Sequence, residues 1–202
     1  TGHKIMVDLL SYNPSGTRLI SGGGYGIIKI WDTATKRCDI TLSDESKWVN
    51  SVSWSPDGKY LAYGNSDSLI VIWEVDSDEI IRNLTGHFDF VNSISFSPNG
   101  SFLASASSDK TIKIWDPFSG LCLKTLIGHS EEVNSISYSP GGKFLASGSN
   151  DKTVKIWSVE TGDCVKNYPG HNKPVKCVSF SPDGRYVASG SEDKMIKVWK
   201  IY

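Results

Sequence analysis

Histidine, serine and aspartate recur together along this chain. They are the residue types of nucleophilic acyl transfer, in which a serine attacks, an imidazole takes its proton and a carboxylate orients the imidazole. The four histidines, His3, His87, His129 and His171, each follow a glycine. Their repetition argues against catalysis, which needs one activated nucleophile beside an oxyanion hole and leaves no use for several copies. All four imidazoles fall in equivalent slots, so none is spare for acid–base work. The run Gly22-Gly23-Gly24-Tyr25-Gly26 is a second chemical candidate. Phosphate-cradling loops lead from a strand into a helix N-terminus. This run leads from strand to strand and reads as a loosened turn. Glu131-Glu132 is a carboxylate pair in a solvated loop and reads as surface charge. Four cysteines show no CxxC spacing, which removes zinc and redox motifs. Cys38, Cys122 and Cys164 share one repeat position, and all four thiols are expected as small buried residues in a reducing compartment. The expectation is no catalytic residue, no cofactor and no metal.

The elements that hold these residues follow from a repeat. Trp31, Trp73, Trp115, Trp157 and Trp199 stand 42 residues apart. A period of roughly 40–45 residues marks a supersecondary unit that must stack on its copies to bury its apolar face. Gly2-His3, Gly86-His87, Gly128-His129 and Gly170-His171 keep the same beat, with Asp44-Glu45 in the slot where the pair is lost. The chain divides into one array of units, about 1–43, 44–85, 86–127, 128–169 and 170–202. In the third unit, residues 91–96 alternate apolar and polar, the period of a half-buried strand. Ser97-Pro98-Asn99-Gly100 is a turn, with Pro suited to its second position and Gly to positive φ. Residues 102–106, 111–115 and 121–126 read as three further strands, with Ser107-Ser108-Asp109-Lys110 turning between the first two. Each unit is therefore a four-stranded antiparallel meander in an all-β chain, and no segment sustains a helical period.

Composition narrows the partners. The net charge is −1, from 21 basic and 22 acidic residues, a poor footprint for nucleic acid. No apolar run approaches the roughly 18 residues that span a bilayer, so no membrane association is expected. No signal peptide is recognisable, although Thr1-Gly2-His3 does not read as a natural N-terminus. The expected location is cytoplasmic, with the nucleus left open.

A meander of this size has two faces to cover, and radial stacking covers both. The units resemble the WD-repeat family of β-propellers: Trp31-Asp32 and Trp115-Asp116 keep the eponymous pair, while Glu74, Ser158 and Lys200 replace its Asp elsewhere. The resemblance covers the whole chain. It implies that the His before the first strand, a Ser on the second, the Asp of the following turn and the Trp of the third form one structural network. By position these are His87, Ser105, Asp109 and Trp115; His129, Ser147, Asp151 and Trp157; and His171, Ser189, Asp193 and Trp199. Such a network satisfies buried polar groups together and ties loops to strands. Unit one has His3, Ser21 and Trp31 but Tyr25 in the Asp slot, and unit two has Asp67 and Trp73 but Glu45 for His and Tyr63 for Ser. These two units are expected to be less rigid, by about 1–2 kcal/mol each.

The resemblance also implies a binding face made by the loops before the first strand and after the second. Its candidate positions are Met6, Trp48, Phe90, Glu132 and Pro174; Asp8, Asn50, Asn92, Asn134 and Lys176; and Gly24, Ser66, Ser108, Asn150 and Glu192. Met6, Trp48 and Phe90 form an apolar arc, opposite a side carrying Glu132, Lys176 and Glu192. Large exposed aromatics are the usual anchors of an interface; the competing expectation is that Trp48 folds down over unit two. The Trp-Asp-x-Arg pattern of cullin-ligase substrate receptors is absent from Trp31-Asp32-Thr33-Ala34, Trp115-Asp116-Pro117-Phe118 and Trp157-Ser158-Val159-Glu160.

The last unit lacks its fourth strand, and seven units are the commonest number in the family. The ring is therefore expected to be incomplete, a fragment of a longer propeller of about seven blades, with a distorted five-bladed ring as the alternative. The uncovered third strand of unit five is a template for self-association. The expected function is a non-enzymatic scaffold presenting its loop face to protein or peptide partners in a multiprotein complex. The alternatives are a regulatory sensor segment of a larger protein such as an NTPase, or a reader of a short peptide or modified tail.

Overall fold

The computed structural model describes residues 2–4, 6–23, 26–43 and 48–201. Among them are nineteen strands and no α-helix. Blade one is β1 (Val7–Tyr12), β2 (Arg18–Gly23), β3 (Ile27–Asp32) and β4 (Cys38–Ser43). Blade two is β5 (Val49–Trp54), β6 (Tyr60–Asn65), β7 (Ile70–Glu74) and β8 (Glu79–Leu84). Blade three is β9 (Val91–Phe96), β10 (Leu103–Ser107), β11 (Ile112–Trp115) and β12 (Cys122–Leu126). Blade four is β13 (Val133–Tyr138), β14 (Phe144–Ser149), β15 (Thr153–Ser158) and β16 (Cys164–Pro169). Blade five is β17 (Val175–Phe180), β18 (Tyr186–Ser191) and β19 (Ile196–Lys200). Every blade is an antiparallel meander with its strands in chain order, and the fifth sheet has three strands.

Side chains tie the turns. Ser97 Oγ donates to Asn99 Oδ1 and accepts from the Phe102 amide, and β10 begins at Leu103, one residue later than its apolar pattern suggests. Gly100 closes that turn at φ 73°, a left-handed conformation that a Cβ would strain. Thr111 is likewise held by Asp109 through both its amide and its hydroxyl, and β11 begins at Ile112.

The core lies between blades rather than within them. One cluster joins Ile28 and Ile30 of blade one to Val49, Trp54 and Trp73 of blade two. The next joins Ile70 and Ile72 to Val91, Ile94, Phe96 and Trp115. Ile112 and Ile114 meet Val133, Ile136, Tyr138 and Trp157, and Val154 and Ile156 meet Val175, Val178 and Phe180. Burial of these side chains supplies the apolar driving force for stacking. The blades approach so closely that a Cβ on Gly64 would lie 2.5 Å from Val91 Cγ1 of the next blade. Serine hydroxyls on the first strands of blades two to four also bridge to the next blade: Ser51 and Ser53 Oγ, for example, accept the Ile94 and Phe96 amides at 2.9 and 3.1 Å.

The five blades form an open series. Leu10 and Tyr12 on one end and Ile196 and Val198 on the other are exposed, although their counterparts at every internal interface are packed. The cysteines correct the expectation of burial: Cys122, Cys164 and Cys177 are exposed and Cys38 is half-buried, all as free thiols. Three of them open the fourth strands, where alternate residues face outward, and their thiols donate to the carbonyls of Ile40, Lys124 and Lys166.

Candidate functional site

In blade three the four network residues meet. His87 Nδ1 lies 2.7 Å from Asp109 Oδ2, and its Nε2 lies 2.7 Å from Ser105 Oγ. Trp115 Nε1 donates to the same Ser105 Oγ at 2.8 Å. The polarity is consistent along the chain of bonds: indole to hydroxyl, hydroxyl to imidazole, imidazole to carboxylate. Blade four repeats it through His129–Asp151 at 2.6 Å, His129–Ser147 at 2.7 Å and Trp157–Ser147 at 2.8 Å. In blade five the corresponding distances for His171–Asp193, His171–Ser189 and Trp199–Ser189 are 2.8, 2.8 and 2.9 Å. Gly86, at φ 144°, places its Cα over the Trp115 ring, where an added Cβ would stand 3.4 Å from the indole edge.

Burial alone would raise the Asp109 and Asp151 carboxyls. Hydrogen bonds from His87 and Thr111, and from His129 and Thr153, outweigh it and hold both well below the usual carboxylate range. Asp193 is depressed in the same way by His171 and by the Asn172 and Met195 amides, against its desolvation. Met195 stands where Thr111 and Thr153 stand in the other blades, so the side-chain bond to the aspartate is missing there. Ser105, Ser147 and Ser189 are buried and engaged on both sides. Such a hydroxyl has no access to a substrate carbonyl and no unpaired base beside it.

Blades one and two differ. His3 Nε2 and Trp31 Nε1 still meet at Ser21 Oγ, at 2.5 and 2.7 Å. His3 is lowered by desolvation and then by the charge of Lys29. Tyr25, Asp44 and Glu45 lie outside the described residues, as does the rim position Gly24. In blade two Tyr63 fills the serine slot, and the buried Trp73 Nε1 has no hydrogen-bond partner among the described residues.

The three rim positions of each blade come together above these networks. The amides of Ser66, Ser108, Asn150 and Glu192 donate to the carbonyls of Trp48, Phe90, Glu132 and Pro174. In the later blades the rim side chains are engaged with one another. Asn92 Nδ2 donates to Ser108 Oγ and to the Val133 carbonyl of the next blade, and Asn134 Nδ2 donates to Asn150 Oδ1 and to the Val175 carbonyl. Asn150 Nδ2 reaches Glu132, and Lys176 bridges Asn150 and Glu192. In the earlier blades the rim is apolar and open. Trp48 and Phe90 are each 50% exposed and, with Asn50, Ser66 and Asp67, line a groove of about 480 Å³. Met6 and Asp8 are exposed farther along the same side.

Phe88 is the rim residue that sequence reasoning missed. It is 91% exposed, and its amide is fixed by Asp109 Oδ2. The signal was available: the position after each network histidine reads Phe88, Ser130 and Asn172, so the repeat itself does not ask for an aromatic. Among the described residues no cluster of three or more His, Cys, Asp or Glu could hold a metal, and no helix is long and apolar enough to cross a membrane.

Comparison with known families adds two matches. The family model of the WDR3 first beta-propeller domain matches residues 23–201, most of the chain, and that of the WD domain, G-beta repeat, matches residues 1–32. No curated protein matches the chain.

Proposed function

The chain belongs to the WD-repeat β-propeller family, whose domains generally mediate protein–protein interaction, and we propose on that premise that it is a non-enzymatic scaffold capturing a protein or peptide on its loop rim. The observation that carries this reading is the groove between Trp48 and Phe90. Two half-exposed aromatics that the repeat does not require flank Asn50, Ser66 and Asp67. Apolar rings with a few convergent polar groups are the composition of an interface anchor site. Phe88 and Met6 are further exposed apolar side chains of the third and first blades. The network serines are buried as structural ties, which supports the non-enzymatic reading. The net charge of −1 and a rim carrying Asp8, Asp67, Glu132 and Glu192 favour a protein partner over nucleic acid. A groove of about 480 Å³ suits a few side chains of an extended peptide, which supports the peptide-reading form of the proposal.

Affinity capture with the protein and its Trp48→Ala variant tests it. The expected result is at least a roughly 30-fold loss of partner affinity, the cost of removing a hot-spot aromatic, with an unchanged melting temperature. A lowered melting temperature with capture intact would assign Trp48 to packing instead.

A further inference from the structure

At the end of the blades away from the loop rim, each junction sets a residue at the start of one blade's second strand beside the turn that follows the next blade's third strand. Blades one and two fill this slot with an ion pair, Arg18 Nη1 on Asp76 Oδ1 at 2.7 Å. Blades two and three fill it with an aromatic pair: the Tyr60 and Phe118 rings meet edge to face, with centroids 5.0 Å apart. The repeat register then assigns Phe102 and Glu160 to blades three and four. A phenyl ring and a carboxylate complete one another in neither way.

A cavity of about 740 Å³ opens at this mismatch. Ile114, Leu123, Phe144 and Val159 line it together with Phe102, and Lys124, Lys143 and Glu160 stand around it. Between blades two and three the corresponding depression is smaller, about 560 Å³, and is lined by Tyr60 and Phe118. It does not reach Ile72, Ile81 or Pro117, the counterparts of Ile114, Leu123 and Val159. The Phe118 ring thus occupies in one junction the depth that stays open in the next. Both walls of the larger cavity belong to inner blades, each with a neighbour on either side. Two ammonium groups stand against one carboxylate there. Lys124 Nζ donates to the Glu160 carbonyl at 2.7 Å, whereas the exposed Lys143 ammonium has no hydrogen bond or ion pair among the described residues.

We propose that this cavity is a second recognition site, taking an aromatic side chain of an extended peptide in which a carboxylate residue stands next to the aromatic one. The adjacent junction shows the fit from within the molecule, because a phenyl side chain is what fills the slot beside Tyr60. Supplied by a partner, such a ring buries its faces against Phe102, Ile114 and Val159, and that burial is the main source of affinity. The neighbouring carboxylate meets the unpaired Lys143 ammonium, an exposed pairing that contributes selectivity more than strength. The cavity and the Trp48 groove lie at opposite ends of the blades, so this site neither rests on the rim reading nor fails with it.

NMR titration of the isotope-labelled chain with the capped peptide acetyl-Ser-Phe-Asp-Ser-amide tests this, beside control peptides with Ser in place of Phe and Asn in place of Asp. The expected result is a saturable shift of the Gly141, Gly142, Lys143, Ser158 and Glu160 amides, with those of Trp48 and Phe90 unmoved. Loss of the aromatic ring should weaken binding roughly tenfold or more, and loss of the carboxylate roughly two- to threefold. Glu160→Phe puts into the slot the ring that Phe118 supplies next door, and should abolish the shifts without lowering the melting temperature. The peptide series needs no variant and decides the matter even where that substitution impairs folding. Cavity amides that stay still at millimolar peptide overturn the proposal, as does equal binding of the peptide that lacks the ring. A folded Glu160→Phe chain that binds unchanged also overturns it. Shifts confined to Trp48 and Phe90 would overturn it too, while leaving the rim reading intact.

Discussion

Blades two and three hold a tryptophan at the same register and treat its indole N–H in opposite ways. Trp115 donates to Ser105, which is tied through His87 to Asp109. Trp73 is just as deeply buried and finds no acceptor among the described residues, where Tyr63 takes the serine position. Apolar packing is alike in the two blades, so the fold tolerates loss of the network and does not depend on it for its architecture. What the network adds is local: it fastens the loop before the first strand to the turn after the second, beneath the rim. Where the fastening is complete, in blades three to five, the rim from Asn92 onward is bonded to itself. Where it is incomplete, around blade two, the rim opens onto the Trp48 side of the groove. The difference teaches that fastening is set blade by blade, and that the Trp48–Phe90 groove lies between one blade that lacks the network and one that has it.

Acid breaks the comparison on the largest scale, since it acts on three networks together. Asp109, Asp151 and Asp193 have folded values depressed below the ordinary one, so the unfolded chain takes up protons first as pH falls. Their contribution is fully present above the ordinary Asp value of about 4 and is lost as pH drops from there toward the depressed folded values. Urea midpoints measured from pH 7 down to 2 should fall below pH 4, and hydrogen exchange should show blades three to five loosening in that window. Asp109→Ala removes one network. It leaves the buried His87 Nδ1 with only its 3.5 Å contact to Thr111 Oγ1 and is expected to cost about 2–3 kcal/mol by urea unfolding at pH 7.

A single bond is isolated by comparing Trp115→Phe with Trp73→Phe. Both remove the same atoms from equally buried sites, but only the first breaks a hydrogen bond. Trp115→Phe should be the more costly by about 1 kcal/mol in matched unfolding experiments. The smallest effect is a gain. Met195→Thr would give Asp193 the hydroxyl that Thr111 and Thr153 supply to their aspartates, and should raise the melting temperature by about 1–2 °C in calorimetry.

The blades were legible because the repeat states them five times: the tryptophan interval and the alternation of 91–96 give the meander without coordinates. β10 and β11 start one residue later than the alternation suggests, at Leu103 and Ile112, although the same turn bonds in blade four leave Phe144 and Thr153 as the first residues of their strands. The members of each triad were legible by register, and the structure brings them within hydrogen-bond distance. The rim was legible only in part. Asn92 and Asn134 occupy rim slots by register, yet their amides reach carbonyls one blade away, and a reading made unit by unit does not see that contact. Phe88 was missed because it sits in a slot the repeat leaves variable.

The central claim is that the histidine–serine–aspartate sets are structural fasteners, complete in blades three and four and broken in blade two. Native-state hydrogen exchange resolved by blade tests it most directly. The account predicts that the amides of β10 and β14 and the indole N–H groups of Trp115 and Trp157 exchange more slowly than the amides of β6 and the indole of Trp73, by roughly tenfold for about 1.4 kcal/mol of added local stability. Equal or slower exchange in blade two would contradict it.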